Sequence, residues 1–237
     1  MNEEPIRLLL HGATGRMGQA LLRLCAERND IDVIAAVSRK VGQRVIDGVP
    51  QFAASELPGV PAFDVAVDFS LAEAFDPILA LCEARGVALV SGTTGLGEAQ
   101  RGAIERASGR IPVLWASNFS LGVAVLTELV TRAAQALHGW DCDIIEAHHS
   151  QKQDAPSGTA LTLGAGAEQA GAVPRYASLR AGDIVGEHTV QFSGQGERIE
   201  LIHRATNRDI FARGALHAAT RLAGRAPGNY RLRDLLD

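Results

Sequence analysis

The sequence predicts an α/β protein: a doubly wound parallel sheet joined to a smaller α+β region with a mixed sheet. Three observations carry this expectation. Short apolar runs recur at residues 6–10, 31–37, 64–69, 87–90 and 111–115 with helical patterns among them, an alternation that builds parallel sheets covered on both faces. The first run leads directly into a glycine-rich turn and a helical stretch. From residue 184 the pattern changes to alternating segments with β-branched residues, which reads as antiparallel or mixed strands.

Residues 6–10 (IRLLL) are the first strand, and HGATGRMG at 11–18 follows at once. Residues 19–28 (QALLRLCAER) space Leu21, Leu22, Leu24 and Cys25 for one helical face. Strand, glycine turn and helix is the context of a Rossmann-like dinucleotide fingerprint, in which glycines let the backbone turn tightly and approach a pyrophosphate at the helix N-terminus. The spacing here is Gly12-x-x-Gly15-x-x-Gly18 rather than G-x-G-x-x-G. A plain tight turn between strand and helix would use the same residues. Residues 31–37 (IDVIAAV) complete a βαβ unit. A fold preferring NAD places an acid near the end of this strand for the ribose 2′-hydroxyl. Ser38-Arg39-Lys40 stands there instead, with no acid between Val33 and Ile46. A hydroxyl and two cations suit a 2′-phosphate, which Arg can engage through two hydrogen bonds. NADPH is therefore the preferred cofactor, with NADH as the alternative; the bland reading is that Arg39 and Lys40 open a solvated loop.

Residues 42–63 hold proline–glycine punctuation (Gly48-Val-Pro50, Pro58-Gly-Val-Pro61) and read as loop. Residues 64–69 (DVAVDF) are the third strand. Asp76-Pro77 reads as an N-cap and N1 proline opening the next helix. The fourth strand, 87–90, runs into Ser91-Gly92-Thr93-Thr94-Gly95, and the fifth, 111–115, ends in Ala116-Ser117-Asn118-Phe119-Ser120. Small and hydroxylated residues at the carboxyl ends of strands line the ligand crevice of such a sheet. Residues 121–137 form a long apolar helix, 184–192 and 199–203 are strands, 208–222 is helical, and 229–237 is a short closing segment.

A chain of 237 residues can bury a sizeable core, and 46% apolar with 21% charged residues is ordinary for a soluble globular protein. The net charge of −4, without a basic block, gives no support for nucleic-acid or membrane-surface binding. The N-terminal stretch is too acidic for a signal peptide and its apolar run too short for a membrane span. Cys25, Cys82 and Cys142 are widely spaced, with no CxxC, and fit reduced buried thiols of a cytoplasmic protein.

The chemistry concentrates in EAHHSQKQDAPSGTA at 146–160. A strand (CDII, 142–145) precedes it and an Ala, Leu and Gly-rich helix follows, with Ser157 as N-cap. His148, His149, Lys152 and Asp154 lie within seven residues, beside a helix N-terminus that suits a carboxylate or phosphate. A lone His is more often a satisfied core or surface residue, a lone Lys is usually solvated, and SGT is commonly just a cap. Nothing about folding, however, needs two adjacent His and a Lys four positions beyond the first. A metal role is disfavoured, since adjacent His rarely both face one ion and no third ligand is evident.

In GATGRMG (12–18), SGTTG (91–95), ASNFS (116–120), EAHHSQKQDAPSGTA (146–160), RAGDIVGEH (180–188) and the GER at 196–198, the chain resembles the 4-hydroxy-tetrahydrodipicolinate reductase family, also known as dihydrodipicolinate reductase, of bacterial lysine and diaminopimelate synthesis. The resemblance covers nearly the whole chain, and HHxxKxDAPSGTA is its most specific part. It implies a dinucleotide-binding domain of residues 1–119 and 207–237 and a substrate-binding and oligomerisation domain of 120–206. Gly12, Ala13, Thr14, Gly15, Arg16 and Met17 would cradle the pyrophosphate, and Ser38 and Arg39 would meet the adenosine ribose or its phosphate. Gly92, Thr93, Thr94, Ala116, Ser117, Asn118 and Phe119 would line the nicotinamide side. His148 would be the proton donor/acceptor and Lys152 a second donor. His149, Gly158, Thr159 and Arg208 would bind or orient a cyclic dicarboxylate substrate. The family is a homotetramer. Two departures are visible: Ser38 replaces an acid common after the second strand, and the chain is shorter in the loop after that strand and between Gly171 and Arg180.

The implied reaction is reduction of the conjugated imine left when the substrate loses water, with a proton arriving at the carbon beside the imine. His148 titrates near neutrality and suits that transfer, and Lys152 can hold a carboxylate and stabilise developing charge. Two other readings use the same residues: an NADP-sensing binding protein, in which the His148, His149 and Lys152 cluster is dispensable, and a Lys152 Schiff-base lyase.

Overall fold

The apolar run at the start of the chain forms β1 (Ile6–His11), with Leu8, Leu9 and Leu10 fully buried. The structure, a computed structural model, describes residues 4–236. α1 (Arg16–Cys25) starts earlier than the expected Gln19, with Gly15 as its N-cap. The reason lies in Gly18: a Cβ there would sit 2.4 Å from the Gly12 carbonyl oxygen, so only glycine lets the helix begin this close to the strand. β2 (Ile31–Ser38) pairs parallel with β1.

Residues 42–63, expected as loop, contain β3 (Val45–Ile46), β4 (Val49–Ala53) and a 3-10 turn at Ala54–Gly59. β4 adds to β2 in parallel and turns against β3 through Asp47 and Gly48, both at positive φ. An Asp-Gly pair is a strong short-hairpin signal, and the surrounding prolines concealed it. Pro50 is tolerated because the pairing of β4 with β2 begins only at Gln51, and toward β3 it is the Gln51 N–H that donates, to the Arg44 carbonyl.

β5 (Val65–Asp68), α2 (Phe75–Arg85), β6 (Ala88–Ser91), α3 (Glu98–Ser108) and β7 (Pro112–Trp115) continue the alternation. α2 begins at Phe75 with Ala74 in the cap position, so Asp76 lies in the first turn and does not cap. Pro77 remains within that first turn, where its missing N–H costs nothing. Beyond Phe119 come α4 (Leu121–Ala136), β8 (Asp141–His148), α5 (Gly158–Gln169), β9 (Pro174–Arg180), β10 (Gly186–Ser193) and β11 (Arg198–Ala205); α6 (Asp209–Leu222) and β12 (Gly228–Tyr230) follow.

Two compact units result: one runs to Phe119 and resumes at Phe211, and the other is Ser120–Ile210. The first holds an eight-stranded sheet in the order β12-β7-β6-β5-β1-β2-β4-β3, parallel except for β3 against β4. All four residues of β5 and of β6 are buried, the mark of a parallel sheet covered on both faces. A core cluster of this sheet joins Leu9, Val37, Ala66, Leu89 and Val113 to Ile78 and Cys82 of α2 and Ile104 of α3. The chain order reverses between β1 and β5, whose carboxyl ends therefore form the topological switch point where such sheets bind ligands.

The second unit has a mixed sheet in the order β11-β10-β8-β9, with β8 and β9 parallel and the other pairs antiparallel. Its inner face packs Cys142, Ile144, Val190 and Phe192 against Leu126 and Val130 of α4 and Leu163 of α5. The outer face leaves Ile145, Leu179 and Ile202 exposed. The three cysteines are free and buried, and burial raises each thiol above its ordinary range. Among the described residues, no helix is long and apolar enough to cross a membrane.

Candidate active site

The glycine turn lies at the switch point. Gly12 has φ +85°, and a Cβ there would come within 2.5 Å of the Phe69 carbonyl oxygen, so both the backbone conformation and the close approach require glycine. Gly15 caps α1 without any side-chain bond, which leaves the first-turn N–H groups for a ligand. A cavity of about 360 Å³ opens here between Gly12, Thr14 and Gly15 on one side, Ser38 and Arg39 on another, and Phe69–Leu71 beyond. Among the described residues, Arg39 is the one guanidinium of its lining and Glu73 the one acid. The glycines, the free helix terminus and the cation fit the phosphate-rich part of a nicotinamide dinucleotide.

Ser38 is buried, and its hydroxyl donates to the Lys40 carbonyl, so it shapes the turn that presents Arg39. Ala13 is buried, Arg16 is exposed at the start of α1, and Met17 is half-buried. At the neighbouring strand ends Gly92 is packed so closely on the Phe69 ring that a Cβ would lie 2.1 Å from it, and Phe69 meets Phe119 with ring centroids 5.3 Å apart. Thr93 is buried and donates to Asp68, Thr94 is exposed, and the Ala116 N–H donates to the Ser91 carbonyl. Ser117 is exposed and Asn118 half-buried in the segment that follows β7, ahead of the buried Phe119.

Beneath this floor sits a buried carboxylate that sequence reasoning missed. Asp68 accepts from Ser91 Oγ and Thr93 Oγ1, both at 2.8 Å, and lies 2.8 Å from His11 Nδ1. Burial alone would raise the Asp68 carboxyl, but the imidazole and the donors hold it below the usual carboxylate range. Each partner stands at the end of a strand or just past it, which the one-dimensional pattern does not reveal.

The second unit carries the titratable cluster. The predicted strand 142–145 extends to His148, and its alternating burial puts Cys142, Ile144, Glu146 and His148 on the inner face. Register then makes a polar row across the sheet, Ser178–Glu146–His188–His203, beyond the apolar rows of the core. Glu146 is fully buried and each of its oxygens is engaged. Arg180 donates from Nη1 and Nη2 at 2.9 and 2.7 Å, the Ser157 N–H donates at 3.3 Å, and His148 Nδ1 lies 2.5 Å from Oε2. Burial would raise the Glu146 carboxyl, yet Arg180, Ser178 and His148 outweigh it and hold it at about 2. Burial lowers His148, opposed by Glu146 and reinforced by Lys152 and Arg180.

Ser157 caps α5 as expected, accepting from the Ala160 N–H, and its hydroxyl also meets His188 Nε2 at 3.2 Å. His188 packs edge-on against His148, with centroids 5.2 Å apart, and burial pushes it down to about 4. Lys152 projects from the turn after β8 and is paired with Asp154. His149 is half-buried in that turn, Gly158 and Thr159 form the first turn of α5, and Arg208 is exposed between β11 and α6. The structure thus brings together His148 and Lys152 and adds Glu146, Arg180 and His188. Glu146 and His148 stand two apart in a strand, so their shared face was readable from the sequence, whereas Arg180 and His188 join only through register. Among the described residues, no three His, Cys, Asp or Glu side chains are grouped to hold a metal.

A glycine turn at the switch point of a doubly wound sheet, with an acid–base cluster in a separate unit, defines a Rossmann-type oxidoreductase that uses a nicotinamide cofactor. The family follows from sequence likeness over the whole length. Residues 6–119 match the model of the dihydrodipicolinate reductase N-terminus, and residues 122–236 that of its C-terminus. The chain is 73% identical to a 4-hydroxy-tetrahydrodipicolinate reductase of Stenotrophomonas maltophilia (strain K279a) and 70% identical to one of Xanthomonas campestris pv. campestris (strain B100), each covering 100% of both chains. A dipicolinate-bound dihydrodipicolinate reductase from Paenisporosarcina sp. TG-14 shares the fold, with a TM-score of 0.82 at 23% identity over 98% of this chain and 99% of that one. The chain belongs to the dihydrodipicolinate reductase family.

Proposed function

We propose that this chain reduces the dehydrated form of 4-hydroxy-tetrahydrodipicolinate, a cyclic imine dicarboxylate, to tetrahydrodipicolinate, in the making of diaminopimelate and lysine. The observation that carries the site assignment is the Arg180–Glu146–His148 chain, centred on a fully buried carboxylate and placed beside Lys152 and the N-terminus of α5.

The first unit holds the dinucleotide, with Gly12, Ala13, Thr14, Gly15, Arg16 and Met17 around the pyrophosphate, Ser38 and Arg39 at the adenosine ribose, and Gly92, Thr93, Thr94 and Ala116–Phe119 toward the nicotinamide. A bound nicotinamide supplies the hydride. In the second unit Lys152 and His149 hold substrate carboxylate, the N–H groups of Gly158 and Thr159 take a carboxylate at the helix terminus, and Arg208 orients it. His148 donates the proton that reaches the carbon beside the imine. NADPH is the preferred cofactor, because Arg39 lines the cavity where a 2′-phosphate would sit. The exposed apolar side chains Ile145, Leu179 and Ile202 on the outer sheet face support assembly as a homotetramer through the second unit.

The test is loss of nicotinamide absorbance with NADPH and, separately, NADH, the substrate being generated in situ from aspartate semialdehyde and pyruvate by a coupled synthase. Turnover favouring NADPH is expected. Turnover favouring NADH would keep the reaction and overturn the role given to Arg39. A folded protein that binds the dinucleotide but turns over neither would be a sensor instead.

A further inference from the structure

We infer that Glu146 is a positioning residue for the proton transfer: held rigid by Arg180, it fixes His148 with its proton on Nδ1 and leaves Nε2 as the atom that exchanges a proton with the substrate. The inference rests on the reductase reading for its catalytic consequence but not for its geometry.

The geometry leaves one arrangement. A carboxylate can only accept, and Glu146 stays ionised because a two-pronged Arg180 contact and the Ser157 N–H satisfy it inside the protein. Its Oε2 lies 2.5 Å from His148 Nδ1, so Nδ1 must carry the hydrogen whether the ring is neutral or charged. Arg180 is itself fixed from behind, because its Nη2 also donates to the Asp154 carbonyl at 2.6 Å. At the far side of the ring, Gly186 provides clearance: a Cβ there would stand 3.1 Å from Nε2. An imidazole anchored at one nitrogen and open at the other is how a carboxylate orients a general acid.

The charged and titratable groups facing His148 are Glu146 on its own strand, Arg180 on β9, His188 on β10 and Lys152 from the following turn. Only Glu146 favours the imidazolium; burial, Lys152 and Arg180 oppose it. Glu146→Gln therefore removes the group that keeps His148 protonatable. It also sets an amide NH₂ against the Arg180 fork or against Nδ1.

Two measurements decide the matter. Nitrogen-15 NMR of histidine-labelled wild-type protein, with the resonance assigned by its loss in His148→Asn, should show the neutral ring protonated at Nδ1. A ring protonated at Nε2 would overturn the inference, whether or not the protein turns over substrate. In Glu146→Gln the alkaline fall of kcat should move to lower pH by about one unit, with kcat at neutral pH lowered at least about tenfold. Glu146→Asp, which keeps the charge, should leave that limb in place while lowering kcat. A limb that stays put in a folded Glu146→Gln protein would reduce Glu146 to a structural residue. Should that variant not fold, the wild-type spectrum still decides. Absence of turnover by the wild type would sink the reductase reading and leave the tautomer readable.

Discussion

Lys152 Nζ donates to both carboxylate oxygens of Asp154, at 2.7 and 2.8 Å, two residues along the same turn. A substrate carboxylate that engages Lys152 must compete with this internal one. Asp154 is well exposed, so the pair is worth little on its own. Asp154→Asn should therefore lower the KM for the dicarboxylate by about two- to fivefold with kcat nearly unchanged, as read from initial rates at saturating cofactor. A raised KM would mean that Asp154 orders Lys152 rather than occupies it.

His148→Gln should lower kcat by roughly 10²–10⁴ while leaving the thermal midpoint close to that of the wild type, because the ring contributes a proton more than it contributes packing. Steady-state kinetics beside a melting curve checks both halves. A loss below tenfold would remove His148 from the proton transfer.

The buried imidazole of His188 makes the fold acid-sensitive before its carboxylates protonate. Its folded pKa of about 4 lies below the unfolded value near 6.5, so the unfolded chain takes up the proton first. Stability is thus fully present above about pH 6.5 and falls as pH drops toward 4, by up to about 1.4 kcal/mol per unit for this one proton. Glu146 adds a second window: its pKa of about 2 against an ordinary 4.5 places its loss below pH 4.5. Melting curves from pH 8 to 4 should show the midpoint already declining between 6.5 and 4.5, and His188→Gln should flatten that segment. An equal decline in the variant would assign it to other groups.

Two glycines of the proposed binding surfaces should answer alanine in opposite ways. Gly12→Ala combines a positive φ with a Cβ driven into backbone, and should cost about 2–4 kcal/mol of stability as read by denaturant unfolding. Gly158 has open space around it and a helical position, so Gly158→Ala should leave stability unchanged or slightly raised. Any loss of activity in Gly158→Ala then reports on substrate binding alone.

What could be read in the sequence followed the range of each interaction. The strand–glycine–helix start, the alternation to residue 119 and the Ser157 cap are set by neighbours in the chain, and they stand in the structure close to where the pattern puts them. The α1 start shifted because Gly18 is a packing glycine inside the helix, where a propensity argument expects a turn. The β4 strand was hidden since its pairing with β2 lies in another part of the chain and its one proline, Pro50, stands just before that pairing begins. The site divides in the same way. His148 and Lys152 declare themselves by clustering, whereas the Arg180 fork on Glu146, the His11–Asp68 contact and the His188–Ser157 bond span 31 to 57 residues. No local pattern reports such partners.

The place of β12 has a consequence for how the backbone can be divided. β7 and β12 are neighbours in one sheet, yet the whole of Ser120–Ile210 is strung between the segments that carry them. A nick within that insert is therefore expected to leave both pieces of the first sheet joined, because β7 and β12 pair in parallel, with Val113 opposite Asn229 and Leu114 opposite Tyr230. Separately made pieces, cut inside the insert, would each carry one of these two edges, and their pairing is the contact through which they would be expected to meet.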